Sequence, residues 1–461
     1  MSDTDQSTLH GEIAAALERE VSGRIVTATD AGWDVERLGW DLSVDQRPLA
    51  VVHVTGPDDI VAAVRVAKRH GMSVTAQPVG HGATTAVDGT ILLRTAGLRG
   101  LSVNVAARTA RVDAGVRWRD LNAVLSGTGL TSLPGSSGDP TVVGYTLGGG
   151  MSWFGRKYGL AANHVRAVEL VDPDGEHIRV TERSDPELFW ALRGGGGDFG
   201  IVTAMEIGLM AVPAIYGGRL AWDAEQTVPV LEAFTEVAAT APDELTVWAW
   251  LLNLPAAPFV PEPLQNCWSV VVDLTYLGTA ADAEAQLGPL RNLAGTAPKI
   301  DSVRPVPLAA VGEIAAEPED PLPLLHDTTL LTGFDRGAVA DLTEAVRVGD
   351  PAGLAVTELR RLGGALARPA ESHGAAGHVD EPYLLIYGGV VATPELAEPI
   401  AGLIDGVSTA IGPYRAGRTV PNFAADAESA YPPEVLARLA AIKRQRDPKG
   451  VIRSNRPVSR P

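Results

Sequence analysis

The stretch from Pro134 to Leu160, PGSSGDPTVVGYTLGGGMSWFGRKYGL, constrains this chain most. It holds seven glycines before Arg156, including Gly148, Gly149 and Gly150 in a row. Three successive glycines are poor helix and poor strand, because each loses more backbone freedom on folding than any other residue. What they offer is bare main chain that can approach a ligand and point N–H groups at it. The expectation is therefore a glycine loop at a binding site, its amides cradling an anion.

The segments before this loop read as alternating strands and helices. Ala50 to Val54 is a short apolar run ending at Gly56-Pro57, which reads as a buried strand. Residues 58–70 place Ile60, Val61, Val64 and Ala67 on one helical face, with acids at the start and Lys68 and Arg69 at the end, an order that suits the helix dipole. Gly71 closes that helix and residues 74–77 form the next strand, so a β–α–β unit with parallel pairing is expected. Ile13, Leu17 and Val21 predict an opening helix, and Trp118 to Leu125 another. Val165–Val171 and His177–Val180 read as strands joined by the turn Asp172-Pro173-Asp174-Gly175. Ser184-Asp185-Pro186 opens a capped helix.

Gly195, Gly197 and Gly200 match G-x-G-x-x-G, but a helix precedes them and a strand follows. The dinucleotide fingerprint needs the reverse order, so a Rossmann reading is rejected. From about residue 214 the texture changes. Strands at 245–252, 269–276 and 383–390 mix with helices at 228–239, 280–293 and 338–347, which predicts an α+β unit with an antiparallel sheet.

At 461 residues the chain is long enough for two or three domains. A net charge of −18 with no basic cluster argues against nucleic acid or an anionic membrane as partner. The single cysteine, Cys267, permits neither an internal disulfide nor a zinc cluster; no metal site is expected, and a reducing cytoplasm is the natural setting. There is no secretory signal in the first twenty residues and no apolar run long enough to span a membrane.

Four pieces carry a resemblance: Gly80-His81-Gly82, Gly144 through Gly150, Arg156 through Asn163, and Glu187 through Gly196, with Asp447-Pro448 to Asn455 as a fitting tail. In this order and spacing the chain resembles the FAD-linked oxidases of the berberine bridge enzyme type, which have the vanillyl-alcohol-oxidase flavin fold. The resemblance implies an α+β protein. A two-part, PCMH-type FAD-binding domain would be formed by residues 46–213 and the returning segment 419–461, with residues 1–45 as a helical lead-in. Residues 214–418 would be an inserted substrate domain carrying an antiparallel sheet.

It further implies that His81 attaches the flavin covalently through its 8α carbon. Where some members add a cysteine bond, this sequence has Ser137, so a single attachment is expected. FAD contacts are implied for Gln77, Pro78, Val79, Gly80, Gly82 and Ala83; for Gly135, Ser136, Ser137, Gly138, Thr141, Gly144 and Tyr145; for Gly148, Gly149, Gly150, Tyr158, Gly159 and Leu160; and for Gly200, Ile201, Val202, Asn422, Phe423 and Asn455. Many members carry a tyrosine base two residues before that asparagine, but here the position is Val420, followed by Pro421. Neither can take a proton. Tyr145, Tyr387 and Glu358 are the candidate catalytic residues in its place, with Tyr383, His326, His373 and His378 also available.

The activity implied is hydride transfer from a small organic substrate, an alcohol or secondary metabolite, to covalent FAD, with molecular oxygen returning it to the oxidised state as hydrogen peroxide is formed. A flavin-containing cyclase or isomerase, a dehydrogenase without oxygen reactivity, and a flavin-free scaffold are the alternatives. A monomer or homodimer is expected.

Overall fold

The computed structural model describes residues 3–212, 214–258, 260–293 and 296–459. It is α+β. The N-terminal region contains a four-stranded and a five-stranded sheet and a two-stranded pair of Leu130–Thr131 with Met210–Ala211, and the middle of the chain contains one large antiparallel sheet.

The first sheet joins β1 (Arg24–Thr27), β2 (Ala50–His53), β3 (Val74–Ala76) and β4 (Ile91–Arg94) in the order β1-β2-β4-β3. The helix Pro57–His70 connects β2 to β3, capped by Gly71 at φ 66°. The β–α–β unit forms, but β2 and β3 are not neighbours: each pairs in parallel with β4, which inserts between them. The residues of β4 are ILLR, all four buried, and a strand covered on both faces belongs in the middle of a sheet.

The second sheet, of β5 (Leu101–Asn104), β6 (Thr109–Asp113), β7 (Val165–Val171), β8 (His177–Val180) and β9 (Ile201–Gly208), runs in the order β5-β6-β9-β7-β8. The turn at residues 172–175 closes with the Gly175 amide donating to the Asp172 carbonyl at 3.0 Å. Asp185 caps the helix Pro186–Leu192, its side chain accepting from the Leu188 amide. The tail returns to this region. Val74 and Ile452 form a parallel bridge. Buried Lys443 then binds Asp447 at 2.7 Å and the carbonyls of Asp198 and Ile452.

The large sheet is built from β10 (Tyr216–Asp223), β11 (Leu245–Leu254), β12 (Cys267–Tyr276), β13 (Leu324–Leu331), β14 (Val356–Arg361) and β15 (Tyr383–Val390). These run in the order β10-β12-β11-β14-β15-β13, every pair antiparallel. The two-residue alternation of strands decides what each face presents. Leu220, Val247, Ala249, Val270, Val272, Leu359, Leu385 and Tyr387 pack toward the helices Thr227–Thr240, Arg336–Val346 and Ala397–Ala410. The alternate residues, among them Trp248, Trp250 and Val271, join the core of the N-terminal region. The helix expected over residues 280–293 is broken into Ala280–Gln286 and Gly288–Arg291. Pro289 has no amide to donate and disfavours helical geometry in the residue before it.

Trp153 stacks on Trp248 with ring centroids 3.6 Å apart. Buried Arg156 reaches across to the carbonyls of Leu245, at 2.7 Å, and Leu362. These contacts hold the large sheet against the N-terminal region and leave a cleft between them. Among the described residues no helix is long and apolar enough to cross a membrane.

Candidate active site

The cleft encloses about 360 Å³, within the range of small-molecule sites. Three loops of the N-terminal region, the tail and the large sheet all contribute to it.

The first loop, residues 77–82, follows directly from β3. Gly80 sits at φ 97°, and a Cβ there would lie 2.5 Å from the Gly39 Cα, so glycine is required. The loop is pinned from behind by the Trp40 amide donating to the Val79 carbonyl at 3.0 Å. Buried Gln77 and Gln46 exchange amide hydrogen bonds at 2.8 and 3.0 Å. Asn455 of the tail accepts from the Thr84 amide at 3.2 Å. His81 lines the cleft, with Trp40 stacked on its ring at 4.5 Å and its Nε2 bonded to Asp139 Oδ2 at 2.9 Å.

The amides of Val79, Gly80, His81 and Gly82 have no hydrogen-bond partner among the described residues. Four successive donors along one cleft wall form a nest suited to an anion. The glycine triplet behaves differently. The Gly148 and Gly149 amides donate to the carbonyls of Tyr145 and Thr146, and the Gly150 amide donates to Asn422 Oδ1 at 2.8 Å. The expectation that these three amides cradle an anion is therefore corrected: each is already occupied by the protein. Their bare main chain instead allows close packing. A Cβ on Gly148 would meet Asn422 Nδ2 at 2.5 Å, and one on Gly150 would meet the Tyr145 ring at 2.6 Å and Ala161 at 2.7 Å. The helix Val142–Leu147 running into the triplet is also more regular than the glycine content suggested; Thr141 caps it.

The cleft gathers Gln77, Pro78, Val79, Gly80, His81, Gly82, Gly135, Ser136, Ser137, Thr141, Gly144, Tyr145, Gly148, Gly200, Ile201, Val202, Asn422, Phe423 and Asn455. It does not gather Ala83, Gly138, Gly149, Gly150, Tyr158, Gly159 or Leu160. Tyr158 donates to the Ala211 carbonyl at 3.1 Å, and Leu160 packs in a small apolar cluster with Leu366 and Val420.

The three candidate catalytic side chains separate. Tyr145 lines the cleft. Its hydroxyl is buried without a partner among the described residues, and burial pushes its ionisation well above the usual tyrosine range. Glu358 lies one layer behind the wall, its two oxygens bound to Arg360 Nε and Nη2 at 2.7 and 2.9 Å. Burial pushes its carboxyl up to about 7 while Arg360 opposes the shift. Tyr387 is on the other face of the sheet, bonded to Asp327 at 2.7 Å and Ser408 at 2.6 Å, because it is one residue out of phase with Leu384 and Ile386, which pack in an apolar cluster with Met151 and Phe423. Tyr383 shares that phase, and His326, His373 and His378 do not line the cleft.

Arg360, Glu317, Tyr431 and Arg456 line the cleft and were not anticipated from sequence. Arg360 lies 4.0 Å over the Trp248 ring and 5.2 Å from that of Phe423, with Glu317 4.0 Å away. A signal for it existed: Glu358 and Arg360 are two apart in a buried strand and must share a face. Glu317, in a loop, left none. Cys267 is half-buried at the start of β12 beside Lys299.

A dinucleotide cofactor fits these residues: the amides of 79–82 suit a pyrophosphate, and the unpartnered hydroxyl of Tyr145 suits a polar ring edge. Comparison with known proteins agrees. Residues 48–181 match the family model described as FAD binding domain. (R)-6-hydroxynicotine oxidase of Paenarthrobacter nicotinovorans is 26% identical over 454 residues, covering 95% of this chain and 97% of that protein. An FAD-linked oxidoreductase of Dictyostelium discoideum is 24% identical, with 90% of each chain covered. Among solved structures, a BBE-like 1 variant of Physcomitrella patens superposes with a TM-score of 0.85 at 20% identity, covering 97% of this chain and 99% of the other. A chitooligosaccharide oxidase gives 0.82 at 20% identity with the same coverage. The chain is thus an FAD-dependent oxidoreductase with its FAD binding domain over residues 48–181, and it has the fold of the berberine bridge enzyme-like proteins.

Proposed function

We propose that the enzyme is an oxidase acting on a small organic substrate, an alcohol or a secondary metabolite, with FAD bonded once, to His81. The observation that carries this reading is the placement of His81: a hydrogen-bonded, stacked imidazole on the cleft wall, within a run of four amides that have no partner among the described residues. When bound, FAD supplies the hydride acceptor, and dioxygen takes the electron pair onward as hydrogen peroxide.

The chain's own residues then divide the remaining work. The amides of 79–82 hold the diphosphate. Asn422, clamped between the Gly150 amide and the Tyr145 carbonyl, fixes the triplet against the tail side of the cleft. Tyr145 keeps its proton, since burial raises its ionisation so far, and so acts as a hydrogen-bond donor and not as a base. Glu317 is the carboxylate that lines the cleft, and it is assigned the removal of the substrate's hydroxyl or amine proton. Arg360 holds it in place and carries a permanent charge, while Glu358 balances that charge from behind.

The test is direct. Purified protein is precipitated with acid and the pellet inspected for flavin absorbance. Oxygen uptake and peroxide are then followed with substrates of the kinds named for relatives, a hydroxynicotine and a chitooligosaccharide, and with simple alcohols. A yellow pellet and peroxide formation are expected. A yellow pellet with substrate turnover only in the presence of an artificial electron acceptor would replace the oxidase reading by a dehydrogenase.

A further inference from the structure

Asp139 stands outside the set of residues that the resemblance implies, and it does not line the cleft. It is 2% exposed. Three side chains nevertheless converge on it. Oδ2 accepts from His81 Nε2 at 2.9 Å, and Oδ1 accepts from Arg119 Nη2 at 2.7 Å and from Arg117 Nη1. Its amide donates to Ser137 Oγ at 3.2 Å. Burial pushes the Asp139 carboxyl up, but the His81 hydrogen bond and the two guanidiniums outweigh it and hold the group below the usual carboxylate range.

An ionised carboxylate only accepts hydrogen bonds, so Nε2 of His81 must carry a proton. In the neutral ring the lone pair is then on Nδ1, which has no hydrogen-bond partner among the described residues. Trp40, fixed by its own bond to the Glu319 carbonyl at 2.8 Å, covers one face of the ring. The imidazole is thus held in one tautomer and one orientation, as an aspartate holds the histidine of a hydrolase triad.

We propose that Asp139 is the positioning residue for flavin attachment: it selects the Nε2–H tautomer of His81, presents Nδ1 to the flavin 8α carbon, and stabilises the positive charge that the ring gains as the bond forms. This rests on the reading that FAD is attached to His81. In the balanced step a bond forms between Nδ1 and the 8α carbon. One C–H bond of that carbon breaks, and its electron pair passes to the isoalloxazine. The proton it releases and the Nε2 proton, leaving by way of Asp139, account for the two that the isoalloxazine gains. Dioxygen then removes the pair and both protons as hydrogen peroxide. During bond formation the donor ring becomes cationic, so the Nε2–H···carboxylate contact becomes an ion pair and strengthens.

The experiment compares wild type, His81→Ala, Asp139→Asn and Asp139→Glu as purified holoproteins. Total flavin per chain is measured, then the fraction still on the chain in a denaturing gel under ultraviolet light, over time in air. Asp139→Asn is expected to hold FAD at near the wild-type ratio but to attach it at least tenfold more slowly, with Asp139→Glu recovering part of the rate. Attachment in Asp139→Asn at the wild-type rate would overturn the role. A second measurement needs no variant: the flavinyl peptide cut from wild type is assigned by NMR. Linkage through Nδ1 is expected, and linkage through Nε2 overturns the proposal even if every Asp139 variant fails to fold. Wild-type flavin released wholly by acid removes the attachment reading itself, an outcome distinct from the other two.

Discussion

Along the wall made by residues 77–82, the polar groups are one imidazole and a run of main-chain N–H donors, whereas along the wall made by the large sheet they are charged side chains paired with one another. On the proposed reading the first wall holds the diphosphate common to every dinucleotide, and backbone amides do this without depending on side-chain identity. On the same reading the second wall faces the substrate. Its charged lining is Glu317 and Arg360, backed by Glu358. A substitution on the first wall should therefore act on cofactor attachment, and one on the second on turnover or on the stability of the sheet.

The largest expected effect lies on the cofactor side. His81→Ala should release all flavin into the acid supernatant; flavin retained in the pellet would move the attachment to another residue. On the sheet side, Glu317→Gln should lower kcat by about 10²–10⁴-fold with little change in flavin content, the range for a lost general base. Steady-state kinetics at saturating substrate check this, and an unchanged kcat reassigns the base. Arg360→Leu leaves Glu358 buried without its partner and should destabilise the fold by about 3 kcal/mol. Denaturant unfolding measures it, and the double variant with Glu358→Gln should recover more than half of the loss.

A smaller loss, about 2–3 kcal/mol, is expected for Gly150→Val. Its left-handed φ of 76° and the close approach of Tyr145 and Ala161 penalise any side chain. If the triplet's amides held the cofactor directly, this variant would lose flavin out of proportion to its stability, which a flavin ratio measured on folded protein would detect.

The smallest effect is a slope. The folded-state value of Glu358, about 7, lies above its ordinary 4.5, so between these limits the folded chain keeps a proton that the unfolded chain releases. The group's contribution to stability is complete below pH 4.5 and declines as pH rises to about 7. Glu358→Gln should flatten that part of the Tm-against-pH curve; an identical slope in both proteins would show that Arg360 keeps Glu358 ionised throughout.

Much of the cofactor half was legible before any coordinates. Gly80-His81-Gly82, the capped helix at Asp185-Pro186 and the strands flanking Asp172–Gly175 are local devices, and local devices follow from residue types a few positions apart. The sheet half was legible only as strands and helices. Which residues of β14 and β15 face away from the helices at 227–240 and 397–410 depends on phase, and phase is set by packing against those helices, far away in sequence. Tyr387 reads as a plausible base until that phase turns it to the other face.

The chain's order of residues by itself determined the α+β architecture, the flavin-type loops and the histidine between glycines, because each is encoded in a short window. Tertiary structure alone decided that the free amides lie at 79–82 and not in the triplet, that Asp139 meets His81 across 58 positions, and that Glu317 joins Arg360 at the cleft. Hydrogen-bond satisfaction and long-range pairing are properties of the folded chain, and no window of sequence contains both partners.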